Sequence, residues 1–402
     1  AVARFSKAIE LAGRVAPSPA MKQLAVAAHA GILRLSSLTS LADAEVEHHY
    51  TEAQAIVCET GDRRSQAELL IAYGGRRMTL GDARGAFDNT REGIRIASEI
   101  GASELVGRFR LAIMIAYYNT GQLQAGIELM EESAGHAWAS SPITVENVGS
   151  RAYRASFLMN MGQLREARRE LETAIEISRK LGRTVSWMHV LLVQADYLAG
   201  TVDSVQRDAQ TAVRAAEEYD SPFFRLMAYN ALGTAHLLHA QWANALGVLE
   251  RTRPMTEPGQ PGRQFAVPQL AGLAEAHLGL GHLEQGLVLA REALTTAQEG
   301  HMRLWESRAR LQLVRALRRV QGVEAATELS EQLAAWQILV DETGARTYQP
   351  FIHEERGQLA QLAGDAELAR REFEQAIALY RDIGADGQAL RLQAEVPVRR
   401  RA

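Results

Sequence analysis

Residues 161–175, Met161-Gly162-Gln163-Leu164-Arg165-Glu166-Ala167-Arg168-Arg169-Glu170-Leu171-Glu172-Thr173-Ala174-Ile175, read as a tight turn that runs straight into an amphipathic helix. Leu164, Ala167, Leu171, Ala174 and Ile175 recur at helical spacing, so they share one stripe of a helix with 3.6 residues per turn. The turn has counterparts along the chain: Leu80-Gly81-Asp82, Thr120-Gly121-Gln122-Leu123, Ala199-Gly200-Thr201, His239-Ala240-Gln241-Trp242, Leu280-Gly281-His282-Leu283, Val320-Gln321-Gly322 and Ala363-Gly364-Asp365. A weaker copy lies near Ser40-Leu41-Ala42-Asp43. Taking 81, 121, 162, 200, 240, 281, 321 and 364 as equivalent gives intervals of 40, 41, 38, 40, 41, 40 and 43. Unrelated loops do not hold such a spacing, so the chain is a repeat array.

Working outward from the turns, a small residue follows five places on in several units: Ala86, Gly126, Ala167, Ala245, Gly286, Ala326 and Ala369. Such a position lets two helices of a hairpin approach closely. About twenty residues after six of the turns comes a second stop: Gly61, Gly101, Gly182, Gly300, Gly344 and Gly384. Glycine just past a helix end supplies the left-handed residue wanted there. Pro142, Pro222, Pro268 and Pro350 fall before or at the start of first helices, where a missing N–H costs nothing. Pro254, Pro258 and Pro261 mark one longer connector, 253–268. Val- and Ile-rich alternation bounded by turns is missing, so no strand is predicted. The unit is therefore helix, tight turn, helix, glycine stop. The expected fold is all-α, a right-handed α-α superhelix of about nine helical hairpins. Expected boundaries are a truncated N-terminal repeat helix at 1–20, the solenoid at 21–387, and a C-terminal cap with a basic tail at 388–402.

The run Tyr229-Asn230-Ala231-Leu232-Gly233-Thr234-Ala235-His236 resembles the opening of a tetratricopeptide repeat, with Tyr229 as the aromatic, Leu232-Gly233 matching outright and His236 in place of a tyrosine. Ala245 falls where that family has its small second-helix residue, and Leu270, Leu273-Ala274 and His277 echo the pattern in the next unit. The period here is about 40 against ~34 for the usual repeat, which implies longer helices or connectors. Armadillo and HEAT repeats share this length and are the competing fold. Ala97-Ser98-Glu99-Ile100-Gly101-Ala102, Leu181-Gly182-Arg183 and Leu379-Tyr380-Arg381-Asp382-Ile383-Gly384-Ala385 resemble the C-terminal repeats of bacterial STAND-type ATPase signalling proteins, including those with a class III nucleotidyl cyclase domain. Relatives that end in a helix-turn-helix module fit less well, because the chain stops at Arg399-Arg400-Arg401-Ala402. The start, Ala1-Val2-Ala3-Arg4-Phe5, has neither an initiator Met nor a signal peptide, and is read as an interior point of a longer product.

Composition narrows the function. The 402 residues exceed what one core usually supports, which fits a quasi-one-dimensional array. A net charge of −4 gives no pull toward nucleic acid or an anionic membrane. The apolar runs are shorter than a membrane span requires. A single cysteine, Cys58, rules out an intrachain disulfide, fits a cytoplasmic location, and is expected to be buried. No phosphate-loop or H-E-x-x-H motif occurs. His236 and His239 lie one helical turn apart without an evident third ligand. The adjacent acids Glu131-Glu132, Glu217-Glu218 and Glu354-Glu355 read as solvated surface, since neighbours on a helix do not face each other. No catalytic residue, cofactor or metal is therefore assigned.

In tetratricopeptide proteins the first helix of each unit lines the concave face. Counting back ten, six and three residues from the turns selects Leu111, Ile115 and Tyr118; Ala152, Ser156 and Met159; Val190, Gln194 and Tyr197; Asn230, Thr234 and Leu237; and Leu311, Arg315 and Arg318. Trp187 lies earlier on its helix, as does Arg308. The binding candidates are thus Tyr118, Trp187, Gln194, Tyr197, Asn230, Arg308, Arg315 and Arg318. Tyr118, Trp187 and Tyr197 suggest an aromatic strip, and the three arginines a basic patch that would clamp carboxylates or an acidic peptide. The bland readings are core aromatics and a solvated arginine face. Two functions remain open. One is a non-catalytic regulatory or scaffold module that binds a protein or peptide segment, other domains of its parent chain included. The other is a small-ligand or signal-peptide sensor that controls an upstream ATPase and an output domain. A closed pocket near 187–197 would favour a small ligand, an open groove a peptide. The oligomeric state is not legible.

Overall fold

A computed structural model describes residues 2–16, 18–36, 41–134, 148–182, 185–218 and 221–396. Ser40, Pro142, Arg183 and the basic tail 397–402 lie outside the described residues. Among the described residues there are helices, turns and no strand. In chain order the α-helices are α1 (Val2–Arg14), α2 (Pro19–Ser36), α3 (Asp43–Thr60), α4 (Arg63–Thr79), α5 (Ala83–Glu99), α6 (Ser103–Asn119), α7 (Leu123–Ala134), α8 (Val148–Asn160), α9 (Leu164–Lys180) and α10 (Ser186–Ala199). They continue as α11 (Val205–Glu218), α12 (Pro222–Leu238), α13 (Trp242–Thr252), α14 (Ala266–Gly279), α15 (Leu283–Glu299), α16 (Arg303–Gln321), α17 (Ala326–Thr343), α18 (Gln349–Leu362), α19 (Ala366–Ile383) and α20 (Asp386–Glu395).

Local chemistry explains the boundaries. Asp62, Asp82 and Asp365 cap α4, α5 and α19, each carboxylate accepting from backbone N–H groups that the helix leaves unpaired. Gly344 ends α17 in the left-handed region at φ 70°, its N–H returning to the Val340 carbonyl at 2.9 Å. One expected stop is displaced. After α15 the left-handed residue is His301 at φ 51°, not Gly300, and at the turn after α12 it is Ala240 at φ 52°. Each costs about 1–2 kcal/mol relative to glycine, a strain that the flanking helices hold in place. The small positions act as expected: a Cβ on Gly126 would stand 2.3 Å from Cε1 of Phe157, so the α7–α8 approach depends on its absence. Cys58, expected inside, is exposed.

The described residues divide into two compact units that interleave along the chain. The first holds Ala1–Thr120 with Pro254–Ala266 and Glu299–Met302; the second holds Gly121–Arg253, Val267–Gln298 and Arg303–Ala402. α20 begins at Asp386. In the first unit the turn after α4 meets a much later segment: the Ala83 N–H donates to the Gly300 carbonyl at 2.9 Å.

The core of the second unit is alanine- and valine-rich. Val190 and Val193 of α10, Ala209, Ala212 and Ala216 of α11, and Ala228, Ala231 and Ala235 of α12 form one cluster. Each fully buried valine contributes about 1.5–3 kcal/mol, and the alanines bring the axes close. Distant repeats of this unit also touch. The Thr347 hydroxyl donates to the Met159 carbonyl, 188 positions away. Gln388 Nε2 donates to the Tyr197 carbonyl at 3.2 Å, 191 positions away. Arg165 Nη2 bonds both oxygens of Asp386 at 3.0 Å, 221 positions away. The second unit thus returns on itself after about five periods, and this closure positions the site described next.

Candidate binding site

Helices α10, α12, α14, α16 and α18 are the first helices of successive hairpins in the second unit. Their shared face carries more charge than a packed core tolerates without pairing. Tyr197, near the end of α10, donates its hydroxyl to Glu275 Oε2 of α14 at 2.6 Å. Gln312 of α16 donates Nε2 to the same carboxylate oxygen at 3.0 Å and lies 3.5 Å from the Tyr197 hydroxyl. Arg308, one helical turn before Gln312, lays its guanidinium over the Tyr197 ring, 4.4 Å from the centroid. This is a cation–π distance.

Farther along α16, Arg315 Nε donates to Glu355 Oε1 at 2.9 Å, and Arg318 Nε to Glu355 Oε2 at 3.2 Å. Glu354 accepts from Arg391 of α20 at 2.6 Å and from the Tyr380 hydroxyl of α19 at 2.7 Å. Glu354 and Glu355 are both buried, against the expectation of a solvated acidic pair. Arginines from two other helices meet α18 on its buried side, so both neighbours on the helix find partners. Burial works against the charge on Glu354, yet Arg391 and Arg315, with the bonds from Arg391 and Tyr380, hold its carboxyl below the usual carboxylate range. Burial also opposes charge on Arg315, but Glu355 and Glu354 raise its pKa above the ordinary value. Burial, reinforced by Glu275, pushes the Tyr197 phenol up. Burial pushes Tyr348 up to about 12, against the field of Arg308.

The candidate residues fall as follows. Tyr118 is buried in the first unit. Trp187 is half-buried in the second and packs on Tyr153 with centroids 5.9 Å apart. Ten residues of helix, about 15 Å, separate it from Tyr197. Gln194 is half-buried one turn before Tyr197. Asn230 on α12 has both amide atoms buried without a hydrogen-bond partner among the described residues. Tyr197, Arg308 and Arg315 come together; Arg315 and Arg318 meet on Glu355. Much of the counted face is core: Ala152, Ser156, Met159, Val190, Leu237 and Leu311 are buried, while Leu111 is exposed. The surroundings of Tyr197 are closed, since the residue is 7% exposed and α20 touches its carbonyl.

Residues missed from the sequence include Glu275, Gln312, Glu354, Glu355, Tyr380 and Arg391. Two were within reach of the counting rule. Six residues before the turn at 281 is Glu275, and ten before the turn at 364 is Glu354. The others lie off the counted positions and are brought inward by the stacking of neighbouring hairpins, 26–40 residues apart.

No protein-family model matches this sequence, and no curated protein matches it. Among solved structures, a Rap protein complexed with competence and sporulation factor superposes over 83% of this chain and 98% of its own. Its TM-score is 0.56 at 11% identity. The chain is an all-α, tetratricopeptide-like helical solenoid. Two further neighbours score lower and add nothing to that argument. The Cut9–Hcn1 hetero-tetramer of APC/C gives a TM-score of 0.49 at 12% identity, over 98% of this chain and 84% of its own. A Pyrococcus horikoshii STAND protein with a tetratricopeptide repeat sensor gives 0.42 at 14% identity, over 85% of this chain and 55% of its own. The similarity does not extend to a nucleotidyl cyclase grouping. No helix among the described residues is long and apolar enough to cross a membrane.

Proposed function

We propose that the chain is a regulatory binding module whose first-helix face in the second unit takes up a peptide or protein segment, without catalysis. One observation carries this reading: the face holds buried polar groups that folding alone does not call for. Both amide atoms of Asn230, Nε and Nη2 of Arg308 and Oε1 of Gln312 are buried and unpartnered among the described residues. Each such group costs about 1–3 kcal/mol, a penalty that a bound segment would relieve. The Rap protein of similar fold is complexed with a competence and sporulation factor, which supports ligand binding as a use of this architecture. The segment would come from a partner or from another domain of the parent chain, and its binding would report to an ATPase or output domain outside these repeats.

A second reading has its own support. The closed setting of Tyr197 suits a small ligand or a signal peptide better than a long open groove. A pool of random octapeptides passed over the immobilised chain tests the first reading. Retention of a defined subset, reduced tenfold or more by Asn230→Leu, is expected. Uniform wash-through of the pool, with a metabolite mixture shifting the melting temperature instead, would favour the second.

A further inference from the structure

We infer that Arg308 is a receptor for one carboxylate group, and that, of the three arginines of the basic patch, it is the one without a carboxylate partner among the described residues. The inference rests on the reading of the first-helix face as the binding face. Arg315, Arg318 and Arg391 each have a carboxylate within 3.2 Å. Arg308 forms no ion pair within 4.0 Å among the described residues. It is 5% exposed, with Nε and Nη2 buried and unpartnered. The basic patch read from the sequence is thus neutralised from within at two of its three positions.

A buried guanidinium without a counter-charge is unfavourable, and the Tyr197 ring offsets only part of that. The ring holds the guanidinium carbon 4.4 Å from its centroid and offers it no hydrogen-bond acceptor. Nε and Nη2 are the two donors that a carboxylate engages side by side. Four residues along the same helix, Gln312 Oε1 is an unpartnered acceptor among the described residues, while Gln312 Nε2 is held by Glu275. A ligand that presents a carboxylate to Arg308 and an N–H to Gln312 Oε1 would satisfy both residues at once. A peptide end, or an acidic residue with its own amide, has that pairing.

The experiment is thermal unfolding of the full chain at constant ionic strength set with sodium chloride. The probes are N-acetylalanine, with a terminal carboxylate; N-acetylaspartic acid α-amide, with a side-chain carboxylate; and N-acetylalaninamide, with none. At least one carboxylate probe is expected to raise the melting temperature saturably, and the alaninamide is not. The stronger of the two identifies a chain end or an acidic side chain as the source. Arg308→Met is expected to abolish the shift while its unliganded melting temperature equals or exceeds that of the parent. A residue kept for stability would behave in the opposite way. Arg308→Lys, which keeps charge but not the fork, is expected to reduce the shift at least fivefold in affinity. The inference is overturned if neither carboxylate probe acts, if Arg308→Met responds like the parent, or if Arg308→Met melts lower than the parent. Retention of octapeptides by Arg308→Met at parental affinity would remove this inference and leave the binding reading standing. A carboxylate shift without any peptide retention would do the reverse.

Discussion

Arg76 in the first unit and Arg308 in the second are both almost completely buried, at 1% and 5% exposure. Their donors go to different places. Arg76 Nη1 donates to the Ser36 carbonyl at 2.9 Å, and Nη2 to the Leu41 carbonyl at 3.3 Å and to Asp43. It fastens the end of α2 and the start of α3 onto α4, with only Nε left over. Arg308 has an aromatic ring and no hydrogen bond among the described residues. Burial alone therefore does not reveal what a charged residue is for. The destination of its donors does: one arginine completes the fold, and the other leaves it incomplete.

The largest expected effect tests the paired part of the second unit. Glu355→Gln leaves Arg315 and Arg318 without their shared charge. It should destabilise by about 3–5 kcal/mol, the range for removing one partner of a buried pair. Hydrogen exchange of α16 and α18 would show it, and unchanged protection there would mean that water already screens these arginines. Arg76→Met should cost about 2–4 kcal/mol, because two carbonyls and a carboxylate lose their donor. Urea unfolding followed by exchange in α2–α4 measures this. A stable Arg76→Met would erase the contrast with Arg308→Met, for which no loss is expected.

Tyr197→Phe sharpens the comparison further. It removes one hydrogen bond to Glu275 but keeps the ring under Arg308, so about 1 kcal/mol should be lost. The carboxylate response should survive, as measured by the same thermal titration. The smallest effect is one of acidity. In the first unit His29 bonds His49 at 3.0 Å between Nδ1 atoms. Burial, together with His49 and His48, brings the His29 pKa down to about 4 from the ordinary 6.5. The folded state then prefers the neutral ring. The contribution of His29 is complete above pH 6.5 and is lost as pH falls toward 4. Glu354, held low in the second unit, keeps its contribution above the usual carboxylate range and loses it only as pH falls below that range. Between pH 6.5 and 5, exchange protection should therefore weaken in α2 and α3 but not in α18. His29→Gln should flatten the first trend; a parallel loss in α18 would contradict the assignment.

The helices, their turns and the glycine stops were legible because they depend on local chemistry. A stripe at 3.6-residue spacing, a left-handed glycine and a capping aspartate act within a few residues of themselves. The 40-residue interval then carried the repeat architecture, and the counting rule reached Tyr197, Asn230 and Arg315. Even the displaced stop at His301 is a one-residue adjustment within a boundary already expected. The pairing of charges was not legible. Glu354 and Glu355 looked solvated because adjacency on one helix says nothing about what arrives from other helices. The division into two interleaved units and the return of α20 onto α10 depend on side chains about five periods apart. How neighbouring hairpins stack decides that Arg315 and Arg318 meet Glu355, one period away, while Arg308 meets no carboxylate among the described residues. Charge pairing in a low-dielectric interior is a matter of distance in space, and one-dimensional periodicity does not say which side chains of two stacked hairpins come within reach.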